Sequence, residues 1–70
     1  MKRIEIDYRL VNNICSQCSF ILVRNDEWDQ AYDRIDKNSP SNDITVKQIY
    51  KEKIPMYYCN QCNAGVFVKI

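Results

Sequence analysis

The sequence predicts a small α+β fold in which an antiparallel sheet is pinned by two paired-cysteine turns and one amphipathic helix lies between them. Three features carry that expectation. Residues 3 to 10 alternate strictly between apolar and charged side chains, "CSQC" and "CNQC" repeat one cysteine spacing far apart in the chain, and residues 26 to 37 place apolar side chains three and four apart.

In the first segment, Ile4, Ile6, Tyr8 and Leu10 fall on one side of an extended chain and Arg3, Glu5, Asp7 and Arg9 on the other. That is a half-buried strand from Arg3 to Leu10. Asn12 and Asn13 interrupt it as turn formers, and "SFILVR" after the first cysteine pair reads as a second strand. From Asn25 the period changes. Trp28, Ala31, Tyr32 and Ile35 share one face of a helix over about residues 26–37, with Asn25 as its cap, Asp26 and Glu27 at the end where the dipole favours negative charge, and Lys37 near the other.

"NSPSND" reads as a loop around Pro40. The next stretch, "DITVKQIYKEKIPMYYC", fits two patterns: Val46, Ile49, Tyr50 and Lys53 suit a short helix, whereas Ile44, Val46, Gln48 and Tyr50 suit a strand. The reading favours a strand or an extended arm near Ile54 to Tyr58. Pro55 lacks an amide hydrogen, so that arm is expected at a sheet edge or with a bulge. "VFVKI" is a last strand, entered through a turn in which Asn63 and Gly65 supply conformational freedom.

Seventy residues predict one domain, residues 1–70, with residues 24–53 as an insertion between the two cysteine turns. A chain this short buries too little surface to be comfortably stable unaided, and Cys15, Cys18, Cys59 and Cys62 are its candidate staple. The opening "MKRIEIDYRLV" has the pattern of neither a secretory signal nor a membrane span. The expectation is a soluble, cytoplasmic protein, whose paired thiols bind metal in preference to forming disulfides. A net charge of +1 provides no global field to attract nucleic acid or an anionic membrane.

Two residues between cysteines allow a tight bend to bring both sulfurs to the same side of an ion, with backbone amides pointing at them. Structural zinc is the favoured reading, ahead of a mononuclear iron site, disulfides or free thiols. The residues Cys15, Ser16, Gln17 and Cys18, then Cys59, Asn60, Gln61 and Cys62, resemble the zinc ribbon and rubredoxin-like group, in which two such knuckles clamp one metal. The resemblance implies that all four cysteines are ligands of one structural Zn²⁺. Residues 19 to 58 separate the pairs, a longer spacing than is usual for such sites. With no histidine in the chain, and a shell that four thiolates would close against an activated water, no enzyme activity is expected.

Residues 25 to 43 hold six acids against Arg34 and Lys37. The function this predicts is a zinc-stabilised module that binds a protein with a basic surface, as a regulator, inhibitor or adaptor, through Trp28, Asp29, Tyr32, Asp33 and Asp36. The stripe of Trp28, Tyr32 and Ile35 equally suits packing on the sheet. The alternative is a nucleic-acid-binding ribbon, a role the resemblance brings with it, using Lys47, Lys51 and Lys53 for phosphates with Tyr50 and Tyr57 to stack on bases. The chain is expected as a monomer or a small homo-oligomer, the latter paired through an edge strand bearing Ile4, Ile6 and Tyr8.

Overall fold

A computed structural model of the chain describes residues 2–38 and 41–70. The fold is α+β, with strand β1 (Lys2–Asp7), strand β2 (Val23–Arg24), helix α1 (Asp26–Asp36), helix α2 (Asn42–Lys51), strand β3 (Tyr57–Cys59) and strand β4 (Ala64–Lys69). One sheet takes the strands in the order β1-β4-β3-β2. The sheet is mixed, not purely antiparallel as expected, because β1 runs parallel to β4 with Ile4 beside Val66 and Ile6 beside Val68. That register sets the apolar positions of both strands on one face. The other neighbours, β3 with β4 and β2 with β3, are antiparallel.

β1 ends earlier than the alternation suggested. The Tyr8 amide still donates to the Lys69 carbonyl, but the Asp7 carboxylate then accepts from the Arg9 amide and the Asp7 carbonyl from the Leu10 amide. Asp7 thus closes a turn on its own backbone, the habit that makes aspartate a turn former. Leu10 is left 75% exposed.

Helix α1 forms where its apolar stripe predicts it. Asn25 caps it by accepting from the Glu27 amide at 3.1 Å, and three acids occupy its first turn. The same buried side chain donates to the Pro55 carbonyl at 2.7 Å, and the Asn25 amide donates to the Met56 carbonyl. One residue therefore fixes both the helix and the arm that passes beneath it.

Helix α2 corrects the expectation of a single helix. Of the two patterns in this stretch the helical one prevails, since Val46 and Ile49 are fully buried while Ile44, which belongs to the strand pattern, is 56% exposed. Ser41 caps its start. At its end Lys53 turns left-handed (φ 59), its amide donating to the Tyr50 carbonyl and the Ile54 amide to the Ile49 carbonyl. This is a Schellman ending, with Ile54 packed back into the cluster that contains Ile49. The loop expected around Pro40 lies partly outside the described residues, and its last two positions, Asn42 and Asp43, open α2.

The extended arm expected at residues 54 to 58 becomes β3, but not as an edge strand. β3 lies between β4 and β2, and Pro55 precedes the ladder, so its missing amide removes no bond within it. Gly65 likewise has a role other than turn freedom, since its φ is negative and it sits inside β4. A Cβ there would lie 3.3 Å from the ring of Phe67 and 3.3 Å from Pro55. Gly65 allows the proline arm to cross closely over the strand.

Two apolar clusters share the face of β4. Val66 joins Ile4, Cys15, Leu22, Cys59 and Ala64, while Val68 joins Trp28, Ala31, Val46, Ile49 and Met56. Tyr57 packs against both. Among the described residues no helix is long and apolar enough to cross a membrane.

Candidate metal centre

The two knuckles have closely similar backbones. In the first, the Leu22 amide donates to the Asn13 carbonyl and the Cys15 amide to the Phe20 carbonyl, which closes a hairpin around residues 15 to 20. In the second, antiparallel β3 and β4 meet at Cys59 and Ala64. The residue that follows the second cysteine is left-handed in each, Ser19 at φ 62 and Asn63 at φ 53. Asn63 was the residue expected to adopt this conformation; Ser19 adopts it too, because the same bend imposes it.

Each knuckle also points an amide at its first sulfur. Gln17 donates to Cys15 Sγ and Cys62 to Cys59 Sγ, both at 3.4 Å. Such bonds stabilise a thiolate over a thiol. The first cysteine of each pair is buried against the Ile4 and Val66 cluster, whereas Cys18 is exposed and Cys62 half-buried. The ring of sulfurs is thus apolar on its inner side and open on its outer side.

All four Sγ atoms lie within 4.8 Å of one another. Across the knuckles Cys15 stands 3.9 Å from Cys62, and Cys18 stands 3.5 Å from Cys59. A tetrahedron of sulfurs with metal–sulfur bonds of about 2.3 Å has edges of about 3.8 Å, so the spacing suits one ion at the centre. A disulfide requires about 2.05 Å, and all four cysteines are free. The all-sulfur donor set suits zinc or a single iron. Four thiolates would complete the tetrahedral shell of either, so Cys15, Cys18, Cys59 and Cys62 would hold the ion as a structural staple.

The electrostatics favour a cation. The Gln17 amide pulls the Cys15 thiol down to about 7, whereas the hydrogen bond with Cys18, burial, and the neighbouring Cys59 and Cys15 push the Cys62 thiol up to about 12. Four sulfurs in one space do not ionise together without a compensating charge. A dication supplies it and releases the remaining protons.

The other sequence-predicted residues do not converge on this centre. Trp28 is only 3% exposed and belongs to the helical core, with Tyr32 stacked on it at 5.5 Å. Its burial leaves it little surface to offer a partner. Asp29 is ion-paired with Arg24 at 2.7 Å, while Asp33 and Asp36 are exposed. Lys47, Lys51 and Lys53 are also exposed. Tyr50 is half-buried and donates to the Glu5 carboxylate, beneath the guanidinium of Arg3, and Tyr57 lies beneath that of Arg24.

The least anticipated feature surrounds the first knuckle. Of the run Phe20 to Val23 only Leu22 is buried, and Leu10, Ile14, Phe20, Ile21 and Val23 are all exposed. Ile14 and Ile21 are bridged to each other at the first knuckle, with Phe20 next to Ile21 in the chain. The signal for it was present in the sequence. A consecutive apolar run on a short strand cannot turn every side chain to one core.

The centre is zinc-ribbon-like, yet the chain matches no protein-family model, no curated protein and no solved structure with which it was compared.

Proposed function

We propose that the chain is a metal-stapled module that binds another protein, as a regulator, inhibitor or adaptor, and has no catalytic role. The observation that carries this reading is the apolar tip of the first knuckle, formed by Leu10, Ile14, Phe20, Ile21 and Val23. An exposed apolar group of this kind is costly in water and marks a surface that another protein covers. The metal holds the tip rigid, since Cys15 and Cys18 lie between Ile14 and Phe20. Asp33 and Asp36 remain available on α1 to select a partner with a basic surface near the contact. A closed four-sulfur shell and the lack of histidine both support a binding role over chemistry.

Affinity capture with the metal-loaded chain, after nuclease treatment, tests the proposal. Changing Phe20 and Ile21 together to Ser should abolish capture of a specific protein while leaving metal content and helix signal unchanged. Undiminished capture would refute the role of the tip, and capture lost only with Asp33→Asn and Asp36→Asn would move the contact to α1. The nucleic-acid reading draws on the exposed Lys47, Lys51 and Lys53, but guanidinium groups already lie over Tyr50 and Tyr57, the rings it would use. Salt-sensitive retention on heparin would revive it.

A further inference from the structure

Strand β1 reads Lys2, Arg3, Ile4, Glu5, Ile6, Asp7, basic at its start and acidic towards its end. It is the outermost strand of the sheet, paired among the described residues only with β4. The ladder is bracketed by the Lys2 amide donating to the Asn63 carbonyl and the Tyr8 amide donating to the Lys69 carbonyl. In a parallel pair alternate residues of a strand carry the bonds, so the even positions of β1 bond to β4. Arg3 and Glu5 therefore turn their backbone amides and carbonyls to the open edge, while the Asp7 carbonyl is taken by the Leu10 amide. Beside that edge runs a groove of about 530 Å³ walled by Glu5, Ile6, Asp7, Leu10 and Ile14.

We propose that this edge pairs antiparallel with the same edge of a second copy, centred on Ile4, joining two sheets into one across a two-fold axis. Only odd positions offer bonds outward, so odd must face odd. Centred on Ile4, Arg3 faces Glu5 of the second copy and Glu5 faces its Arg3. Centring on Arg3 or on Glu5 sets that residue against its own counterpart, and centring on Ile6 sets Glu5 against Asp7. Like charges directly opposite one another are destabilising, so the Ile4 register alone is free of a like-charge pair.

Charged residues on an edge normally discourage pairing. Here their alternating sign is self-complementary, and β1 has neither a proline nor a bulge, its register running unbroken from Lys2 beside Ala64 to Asp7 beside Lys69. Hydrogen bonds from Tyr50, Arg3 and Lys69 hold the Glu5 carboxyl below its usual range and fix it at the edge. The groove gives the second strand room, and its Lys2 would lie opposite Ile6. The groove shares Leu10 and Ile14 with the partner-binding tip, but the strand edge does not involve Phe20, Ile21 and Val23. The Phe20 and Ile21 variant and the Glu5 variant therefore test the two surfaces separately.

Sedimentation of the zinc-loaded full chain across a wide concentration range tests the proposal. The expected result is a monomer–dimer equilibrium that Glu5→Arg weakens by about tenfold or more, since it sets Arg against Arg. The swap of Arg3→Glu with Glu5→Arg should restore it. If Glu5→Arg alone loses its helix signal, Arg3→Glu supplies the same reversal. In the unmodified chain, the Arg3 and Glu5 amides should gain protection from hydrogen exchange as concentration rises. A monomer at every concentration, a dimer indifferent to Glu5→Arg, or a double swap that stays weak would overturn the Ile4-centred pairing.

Discussion

At Ser19, Lys53 and Asn63 the backbone is left-handed, and no glycine occupies any of these positions. The only glycine of the chain, Gly65, is kept for another purpose, the close crossing of Pro55 and Phe67. Space and conformation are thus separate demands, and in this chain space claims the glycine. Gly65→Ala should therefore destabilise the metal-loaded protein by about 1–3 kcal/mol, as overpacking does, because a Cβ at 3.3 Å from the Pro55 ring requires the arm to move. Thermal unfolding measures it; an unchanged midpoint would show that the arm yields freely. Asn63 was legible as a left-handed residue because asparagine tolerates that region, whereas Lys53 was not, since only the hydrogen bonds that close α2 impose it.

At the scale of elements, local pattern was legible where a single periodicity applied. The stripe of α1 and the alternation of β1 were of this kind. α2 was not, because Val46 and Tyr50 belong equally to a helical and a strand pattern, and only the burial of Ile49 with the exposure of Ile44 decides between them. The parallel pairing of β1 with β4 was also out of reach, since it joins the two ends of the chain and no local period encodes it. Asn25 joins the two kinds of information. Its helix cap was readable, but its bond to the Pro55 carbonyl was not. Asn25→Ala should cost about 2 kcal/mol or more, above a surface cap, because it also leaves a buried carbonyl without its donor. Asn25→Asp, which keeps the cap but not the donor, should recover only part of that loss; full recovery would mean the bond to Pro55 contributes nothing.

Across the whole molecule, the cysteine staple and the helical core are two bodies on one strand, Val66 facing the knuckles and Val68 facing Trp28. The four ligands were the most legible part of the site, because cysteine spacing is a local signal for metal chemistry. Their cross-knuckle neighbours, Cys15 with Cys62 and Cys18 with Cys59, depend on the fold as a whole. This coupling has a testable consequence. In small metal domains the ion contributes on the order of 10 kcal/mol, more than a chain of this size can supply from burial alone. Without it the buried sulfurs of Cys15 and Cys59 have no charge to face, the knuckles open, and β4 loses the packing that positions Val68 beneath Trp28. Chelation should therefore unfold both bodies together. Trp28 emission, buried at the start, should shift to the red in step with the loss of helix signal, and added zinc should reverse both. Cys59→Ser should reproduce the chelated state. If Trp28 emission stays unshifted while metal is removed stoichiometrically, the helical core folds independently and the ion serves the knuckles alone.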